Sequence, residues 1–506
     1  MKFYIENKDY SFLDVYNCCY DDYNIELSDC VKSNIAKSRK LVDELVESDK
    51  TIYGINTGFG KLSQIKIESK DINKLQENLL LSHSVGTGDS CPKIIVKIMI
   101  LLKIISFTKG YSGIRIEVID LLIKLFNNNC LPVVPLKGSV GASGDLAPLS
   151  HLSSVLIGRG KVNFKDEIID AKQALKKNNL KPIQLEYKEG LALINGTQFS
   201  TAYGVYSLFK LNQLMKIADI SGAMSVEGLM CSKKPFQNNV NSIKPFKGQL
   251  DVSSNLMNLL KDSEIMSSHR DCERVQDVYS IRCMPQVHGP SRDLIYFSNK
   301  QINIEINSVS DNPLVFTKEK DIISAGHFHA EAIGHLLDVS CLAVASLSNI
   351  SERRIFTLLL GEYDLPKFLV ENPGLNSGFM MLQVTAAALA SENKLLANPS
   401  SADSITTCSN QEDYVSMAPY SGRKLKQAIH NLENILAVEL LCSSQAIDLR
   451  TGLKPAKKIN IIHKLIREKI DFLIEDRYLK DDLEIMNEII KSGSILDSLN
   501  RKMEIL

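Results

Sequence analysis

The chain has 506 residues, of which 44% are hydrophobic and 23% charged, and Lys plus Arg equal Asp plus Glu at 59 each. This composition is typical of a globular protein with a large buried interior. A formal net charge of zero without a long basic stripe argues against nucleic-acid binding. The start of the chain lacks a basic segment followed by an apolar core, and the 11 cysteines form no C-x-x-C pair. We therefore expect a cytoplasmic protein without membrane anchor, disulfide framework or structural zinc.

Glycine-rich segments at 54–60, 86–88 and 141–144 interrupt moderate helical patterns up to about residue 195, and long helical patterns follow. Residues 330–354 lack proline and are apolar nearly all round, which is typical of a helix buried among other helices. Residues 423–450 carry apolar side chains three and four apart. Strand-type patterns are few and lie near 162–190, where a small sheet or loop is expected.

These patterns predict a mainly α fold in which long helices, typical of a helical bundle, begin near residue 195. Long apolar helices of this kind often pack across subunits.

The segment TIYGINTGFG, residues 51–60, places three glycines around Tyr53. Because glycine adopts positive φ at low cost, the pattern indicates a mobile loop that carries Tyr53 over a site, with a structural turn as the alternative. It contains no G-x-x-x-x-G-K-[ST] motif, which argues against a phosphate-binding loop.

The segment HFHAEAIGH contains His327, His329, Glu331 and His335. Its order differs from H-E-x-x-H, and the first two histidines, two residues apart, would point to different faces of a helix. We expect polar groups at a helix start here, with a metal site as the less favoured alternative.

Gln276, Tyr279 and Arg282 recur at a spacing of three, which on a helical turn would group an amide, a phenol and a guanidinium. Such a set suits a carboxylate ligand, and a solvated helix face is the alternative. Gln411 and Glu412 follow a segment rich in Ser and Thr. A single carboxylate there could equally be exposed or cap a helix.

Residues 141–144 of KGSVGASGDLAPLSH are four small residues that bury almost nothing. One interpretation is a loop before a helix that opens at Asp145, with Ser143 as its cap. The surrounding motifs favour another interpretation.

Six motifs follow one another along nearly the whole chain: YGINTGFG, GSVGASGDLAPLSH, INGTQ, QDVYSIRC, NSVSDNPLVF and NQEDYVSMAP. Together they resemble the aromatic amino acid ammonia-lyases. In that family the Ala-Ser-Gly tripeptide cyclises with loss of two waters into a 4-methylideneimidazol-5-one (MIO) group. The resemblance thus implies a cross-link between Ala142 and Gly144 and a 2,3-didehydroalanine at Ser143. Small residues let the backbone bend into this ring closure. The resemblance implies no metal and no diffusible cofactor.

The resemblance also implies roles for residues of this chain. Tyr53 would be the base, although its pKa, near ~10 when free, would have to be lowered. Asn195 and Tyr279 would contact the MIO and the substrate amine, and Phe328 would pack near the MIO and the substrate ring. Glu412 would face the imidazole or handle protons. The implied catalytic residues are Tyr53, Ala142, Ser143, Gly144, Asn195, Tyr279 and Glu412, and the implied substrate-binding residues are His83, Gln276, Arg282, Phe328 and Gln411.

The dipeptide Ser82-His83 resembles the branch of the family that acts on histidine, since phenylalanine enzymes usually show Phe-Leu there and tyrosine enzymes His-Leu. The expected reaction is non-oxidative deamination of L-histidine to trans-urocanate and ammonia, the first step of histidine degradation. The alternatives are an MIO-dependent tyrosine ammonia-lyase or 2,3-aminomutase, a metal-dependent hydrolase using the histidine-rich segment, and a helical scaffold without activity.

The resemblance further implies two domains, an N-terminal helical domain with active-site loops over residues 1–197 and a long-helix bundle over 198–506 that forms the oligomer core. The expected assembly is a fumarase/aspartase-like homotetramer whose active sites draw on more than one subunit. Two positions depart from the usual family pattern. His327 stands where Asn is usual before Phe328, and Tyr414 stands where His is usual after Glu412-Asp413. Neither departure removes a residue with an implied role, although His327 could retune the pocket.

Overall fold

The computed structural model describes residues 1–47, 52–58, 60–269 and 274–500, so Thr51 and Phe59 of the predicted Tyr53 loop lie outside the described residues. The fold of the described residues is mainly α, as predicted. The helices are α1 (Phe12–Tyr20), α2 (Asp29–Glu47), α3 (Ile72–His83), α4 (Lys93–Thr108), α5 (Ile116–Asn127), α6 (Leu146–Ser154), α7 (Ala171–Lys177), α8 (Glu189–Ile194), α9 (Gln198–Gly228), α10 (Asn238–Asn241), α11 (Lys247–Leu259), α12 (Glu264–Ser268), α13 (Tyr279–Arg282), α14 (Met284–Ile306), α15 (Glu331–Leu358), α16 (Met380–Leu396), α17 (Ala418–Asp448), α18 (Lys457–Arg467), α19 (Leu479–Lys491) and α20 (Ser494–Asn500).

Short strands complete the described structure and pair in small sheets. The strands are β1 (Lys2–Ile5), β2 (Asn24–Leu27), β3 (Thr87–Ser90), β4 (Leu131–Pro132), β5 (Pro135–Lys137), β6 (Lys161–Phe164), β7 (Glu167–Asp170), β8 (Leu314–Phe316) and β9 (Asp321–Ile323). Strands β1 and β2 are parallel, whereas β3-β5, β4-β6-β7 and β8-β9 are antiparallel. The strands β6 and β7 fall at the start of the region 162–190, in which a small sheet or loop is expected, and α7 and irregular structure occupy most of the rest.

The chain forms two compact units, each made of several segments. Unit one comprises 1–209, 299–338 and 399–423. Unit two comprises 210–298, 339–398 and 424–506. The single domain boundary after residue 197 stays a prediction.

The interior of unit one centres on α4, in which every residue from Ile95 to Thr108 is buried. Helix α5 packs beside α4 and presents a run of buried aliphatic side chains at helical spacing. Two lysines of α4, Lys97 and Lys103, are buried within this apolar surface. A buried lysine needs a specific partner, because removing an ammonium from water is costly.

The helices of unit two carry the long apolar patterns seen in the sequence. The stripe predicted within 423–450 lies on α17, where Leu425, Leu432 and Leu436 are fully buried. Helix α15 is long and apolar enough to cross a membrane by length and composition alone, but 72% of its most apolar stretch is buried inside the molecule. It is therefore a core helix, as the pattern over 330–354 predicts.

Candidate active site

A cavity of about 1260 Å³ lies within unit one. Its wall combines the segment after Tyr53, the end of α3, the small-residue turn before α6, the end of α8 and the segment before α17. The predicted site residues that line it are Tyr53, His83, Ala142, Ser143, Asn195, Phe328, Gln411 and Glu412. Residues distant in sequence thus converge on one space.

The small-residue turn is shaped by close backbone approach. Gly144 has a φ of +76° and lies against Gly196 in a parallel bridge, and the Asp145 amide donates to the Gly196 carbonyl at 2.7 Å. A Cβ at position 144 would overlap the backbone of Gly196. A glycine is therefore required here for two reasons, its left-handed conformation and its lack of a side chain.

Ser143 does not cap the helix that follows. Helix α6 begins at Leu146 with Asp145 at the N-cap position, so the capping interpretation is wrong. The Ser143 hydroxyl instead donates to Glu412 Oε1 at 2.7 Å, across 269 positions of sequence. A hydroxyl held in this way on a cavity wall is available for chemistry.

Glu412 is held by the turn that precedes it. Its Oε2 accepts from the Thr407 hydroxyl at 2.8 Å, and the two residues also pair through their backbones. Between them, Cys408, Ser409 and Asn410 all have left-handed φ values, from 49° to 67°. Three consecutive non-glycine residues in this region store backbone strain, which is typical of functional sites.

Tyr53 lines the cavity, and its hydroxyl accepts from the Gly60 amide at 3.4 Å. Burial raises the pKa of the Tyr53 phenol, the hydrogen bond from Gly60 acts against this rise, and the charge of Glu412 adds to it. The contacts of Tyr53 with the described residues therefore do not produce the lowered pKa that a tyrosine base requires.

His83 ends α3 and faces the same cavity. Its Nδ1 lies 2.9 Å from the Leu79 carbonyl oxygen, and burial lowers the pKa of the imidazole. The lowered pKa favours the neutral ring at pH 7. The Ser82 hydroxyl lies 3.0 Å from the same Nδ1. With the hydrogen on Nδ1 the ring donates to Leu79 and Nε2 is an acceptor, whereas with Ser82 donating to Nδ1 the hydrogen is on Nε2.

Asn195 follows α8, and its side-chain amide donates to the Leu191 carbonyl at 3.1 Å. The amide is buried yet reaches the cavity wall beside Ala142 and Ser143. Phe328 lies in the wall as well and supplies an aromatic surface for a planar ring.

Comparison with known proteins decides the family. The family model for aromatic amino acid lyases matches residues 11–468. A histidine ammonia-lyase of Aliivibrio fischeri is 49% identical over 459 residues, which cover 90% of this chain and 90% of the relative. The chain belongs to the aromatic amino acid lyase family.

Solved structures agree with this assignment. The lyase matches a histidine ammonia-lyase from Trypanosoma cruzi with a TM-score of 0.92 at 37% identity, covering 100% of this chain and 96% of that one. It matches a tyrosine aminomutase from Streptomyces globisporus with a TM-score of 0.95 at 30% identity, covering 100% of both chains.

Four predicted site residues of the lyase, Gly144, Gln276, Tyr279 and Arg282, are not in the wall of the described cavity, and the last three are remote from the small-residue turn in sequence. Gln276, Tyr279 and Arg282 belong to unit two. Gln276 precedes the short helix α13, whereas Tyr279 and Arg282 lie on it. Tyr279 is 71% exposed, and the Arg282 guanidinium stacks 4.6 Å from its ring. The buried Nε of Arg282 has no hydrogen-bond partner among the residues that the structure describes. The substrate role of Gln276, Tyr279 and Arg282 stays a prediction.

The histidine-rich segment of the lyase packs as polar groups at the start of α15. His335 Nε2 lies 3.0 Å from Glu331 Oε1, and His329 stacks on Tyr414 with ring centroids 5.9 Å apart. In the part of the chain that the structure describes, no group of three His, Cys, Asp or Glu residues is placed to hold a metal ion.

Sequence reasoning missed two polar residues that support the cavity of the lyase, Thr407 and Lys103. Lys103 Nζ donates to the Asn195 carbonyl, and Thr407 holds Glu412. The available signal for Lys103 was a lysine inside KIIVKIMILLKIISFT, an otherwise apolar helix. No comparable signal in the sequence pointed to Thr407, because its contact with Glu412 depends on the backbone turn between the two residues.

Proposed function

We propose that this lyase removes ammonia from L-histidine to give trans-urocanate, using an MIO group made from Ala142, Ser143 and Gly144. The observation that carries the proposal is the shared cavity wall. Ser143, bonded to Glu412, lines the same space as the neutral imidazole of His83. No metal and no diffusible cofactor takes part in this proposal.

The residues present fit the proposed group. Gly144 approaches the Gly196 backbone too closely for any side chain, and Ala142, the other end of the cross-link, is small and buried. Ser143 presents its hydroxyl, the group to be eliminated, to a carboxylate in the cavity. When formed, the MIO supplies the strong electrophile that natural side chains lack.

The two residues that the resemblance marks as candidates to take the substrate's β-proton, Tyr53 as its phenolate and Glu412 as its carboxylate, both line the cavity. The raised pKa of Tyr53 makes its phenolate scarce at neutral pH in the isolated chain. We expect Tyr53→Phe and Glu412→Gln each to lower kcat, since general bases contribute about 10²- to 10⁴-fold. The larger loss identifies the principal base, and an unchanged kcat removes that residue from the role.

His83 supports histidine as the substrate. Its Nε2, as acceptor or as donor, matches a substrate imidazole, which offers both an N–H and an acceptor nitrogen, whereas a phenyl ring would leave it unpaired at a cost of about 1–3 kcal/mol. Phe328 offers the flat surface that an aromatic ring requires. The TM-score of 0.95 with a tyrosine aminomutase makes L-tyrosine the matched alternative substrate to test.

We further propose that Gln276, Tyr279 and Arg282 reach the cavity of a neighbouring copy in a homotetramer. The unpartnered Nε of Arg282 is a donor available to a substrate carboxylate. Mixing Ser143→Ala with Arg282→Met subunits tests this, because a shared site lets mixed tetramers regain activity that neither variant has alone. Recovery no greater than the sum of the two variants, or a monomeric mass in solution, contradicts it.

The first experiment follows urocanate absorbance after purified protein is mixed with L-histidine, with L-tyrosine and Ser143→Ala in parallel. We expect urocanate from the wild type and none from Ser143→Ala, together with the loss of two water molecules in the intact mass of the wild type alone. A dehydrated wild type that acts only on L-tyrosine would point to the tyrosine lyase or aminomutase. An intact mass without water loss would contradict the cofactor.

We place the reaction in the cytoplasm. The ten cysteines that the structure describes are free thiols, and most of them are buried. Cell fractionation with an antibody against the chain tests the location, and recovery in a secreted or membrane fraction would contradict it.

A further inference from the structure

A buried lysine lies behind the active-site wall. Lys103 on α4 is 1% exposed, and its Nζ donates to the backbone carbonyl of Asn195. The same Nζ lies 3.5 Å from Gln198 Oε1 and 5.0 Å from the centre of the Phe107 ring. Its described hydrogen bonds therefore go to neutral oxygens beside the site.

Burying the Lys103 ammonium is unfavourable, because the group loses its hydration. Burial lowers the pKa of Lys103 to about 7, while the charges of Asp311 and Asp145 favour its protonated form and that of Lys188 opposes it. An apolar residue of similar length would avoid this desolvation cost. The position therefore requires a reason other than filling the core.

Lys97, on the same helix, is the natural comparison. It is also buried, at 5% exposed, and lies 5.0 Å from the Phe126 ring, but its Nζ pairs with the Asp22 carboxylate. Both ammonium groups lose hydration on burial. Of the two, Lys103 donates to a peptide that borders the cavity, whereas Lys97 pairs with a carboxylate away from it.

Lys103 donates to the peptide between Asn195 and Gly196, which connects two parts of the site. On one side it carries the Asn195 side chain, which lines the cavity. On the other it leads to Gly196, whose backbone bridges Gly144 and accepts from the Asp145 amide. A shift of this peptide would displace both the Asn195 amide and the support of the small-residue turn.

We propose that Lys103 is a positioning residue that fixes the Asn195–Gly196 peptide, and through it the Asn195 amide and the turn at Gly144. The kinetic consequence rests on the proposed function, whereas the structural consequence does not. A hydrogen bond from an ammonium is stronger than one from a neutral donor, which explains the choice of lysine over an amide.

The test compares Lys103→Met, Lys103→Arg and the control Lys97→Met, which removes a buried ammonium from the same helix away from the cavity. Amide hydrogen exchange of peptides that span residues 191–200 is measured by mass spectrometry. We expect faster exchange in Lys103→Met than in Lys97→Met, with protection restored in Lys103→Arg, whose guanidinium keeps a charged donor.

Kinetics with L-histidine supply the second readout. Because small displacements of positioning groups cost about 100-fold in rate, we expect kcat of Lys103→Met to fall by that order. KM should stay within about threefold of the wild type, since the loss concerns a transition-state interaction. Lys103→Arg should regain at least about tenfold of kcat, and Lys97→Met should keep the wild-type kcat.

Equal exchange at residues 191–200 in Lys103→Met and Lys97→Met overturns the proposal, as does an unchanged kcat in Lys103→Met. If Lys103→Met yields no folded protein, Lys103→Gln takes its place with the same expectations. A wild type that is inactive on L-histidine, combined with the expected exchange pattern, refutes the proposed function alone. An active wild type with no exchange difference refutes this inference alone.

Discussion

The surroundings of Glu439 in unit two and those of Lys103 and Asp145 in unit one bury ionic groups in different ways. In unit two, Arg354 and Glu439 are fully buried and form a two-point ion pair, with Nε–Oε1 at 2.5 Å and Nη2–Oε2 at 2.9 Å. In unit one, Lys103 donates to a backbone carbonyl, and the Asp145 carboxylate accepts from Ser200. The Arg354–Glu439 ion pair stabilises the packing of helices. The hydrogen bonds of Lys103 and Asp145 instead hold the segments that form the active-site wall.

In unit two, both oxygens of the buried Glu439 carboxylate have hydrogen-bond partners. Burial opposes ionisation, but the charge of Arg354 and the surrounding hydrogen bonds hold the pKa of Glu439 below its ordinary value. Three further hydroxyls donate to the carboxylate, from Ser221, Ser225 and Ser351. In unit one, by contrast, burial raises the pKa of Asp145 to about 7, so its two hydrogen bonds from Ser200 do not compensate its burial.

The largest expected effect follows from the close approach in unit one. Gly144→Ala should abolish turnover of L-histidine and the loss of two waters, because its Cβ would overlap the Gly196 backbone. Gly160→Ala is the matched control. Gly160 also has positive φ, at +82°, but a Cβ there meets nothing within 4 Å, so we expect only about 1–2 kcal/mol of backbone strain and normal activity. If Gly144→Ala lost two waters to the same extent as the wild type, the requirement for glycine at position 144 in MIO formation would be contradicted.

The ion pair of unit two should give the next largest effect. Arg354→Met leaves Glu439 buried without its cation, so the free energy of unfolding should fall by about 3–5 kcal/mol. Adding Glu439→Leu should recover part of this loss, since the unpaired charge is then absent. Urea denaturation of both variants measures the effect, and a double variant less stable than Arg354→Met would contradict it.

A pH-dependent effect is expected at Glu227, a buried carboxyl of unit two. Burial raises its pKa from 4.5 to about 7. Between these values the folded state binds more protons than the unfolded state, so stability falls as pH rises through this window. Glu227→Gln removes the penalty and should stabilise the protein by about 3 kcal/mol at pH 8 and very little at pH 4.5. Thermal unfolding at both pH values checks the sign, and equal stabilisation at both would contradict it.

The smallest effect is expected at His335, whose side chain is 59% exposed beside Glu331. An exposed pair of this kind contributes little, so His335→Ala should change the free energy of unfolding by at most about 0.5 kcal/mol. Activity should stay unchanged and should not respond to a chelator. Inhibition of the wild type by chelator, lost in His335→Ala, would revive the metal site at the start of α15.

Several features of the fold and site were predictable from local pattern. The apolar stripe in 423–450 predicted the buried face of α17, because the spacing alone decides which side of a helix is apolar. The motif around Ser143 and the dipeptide at His83 pointed to residues that the structure brings to one cavity. The alternative that Ser143 caps the following helix, which spacing alone allowed, is wrong, because spacing does not reveal a hydrogen-bond partner 269 positions away.

The helical class, the small-residue turn and the family of the chain follow from periodicity, residue size and motif order, which are properties of the linear chain. The packed fold was needed to learn which side chains line the cavity, that Glu412 accepts from the Ser143 hydroxyl, and that Lys103 donates to the Asn195 carbonyl. It also decided the direction in which the pKa of Tyr53 moves. Burial and electrostatic contact depend on distances between segments remote in sequence, and those distances exist only once the chain has packed.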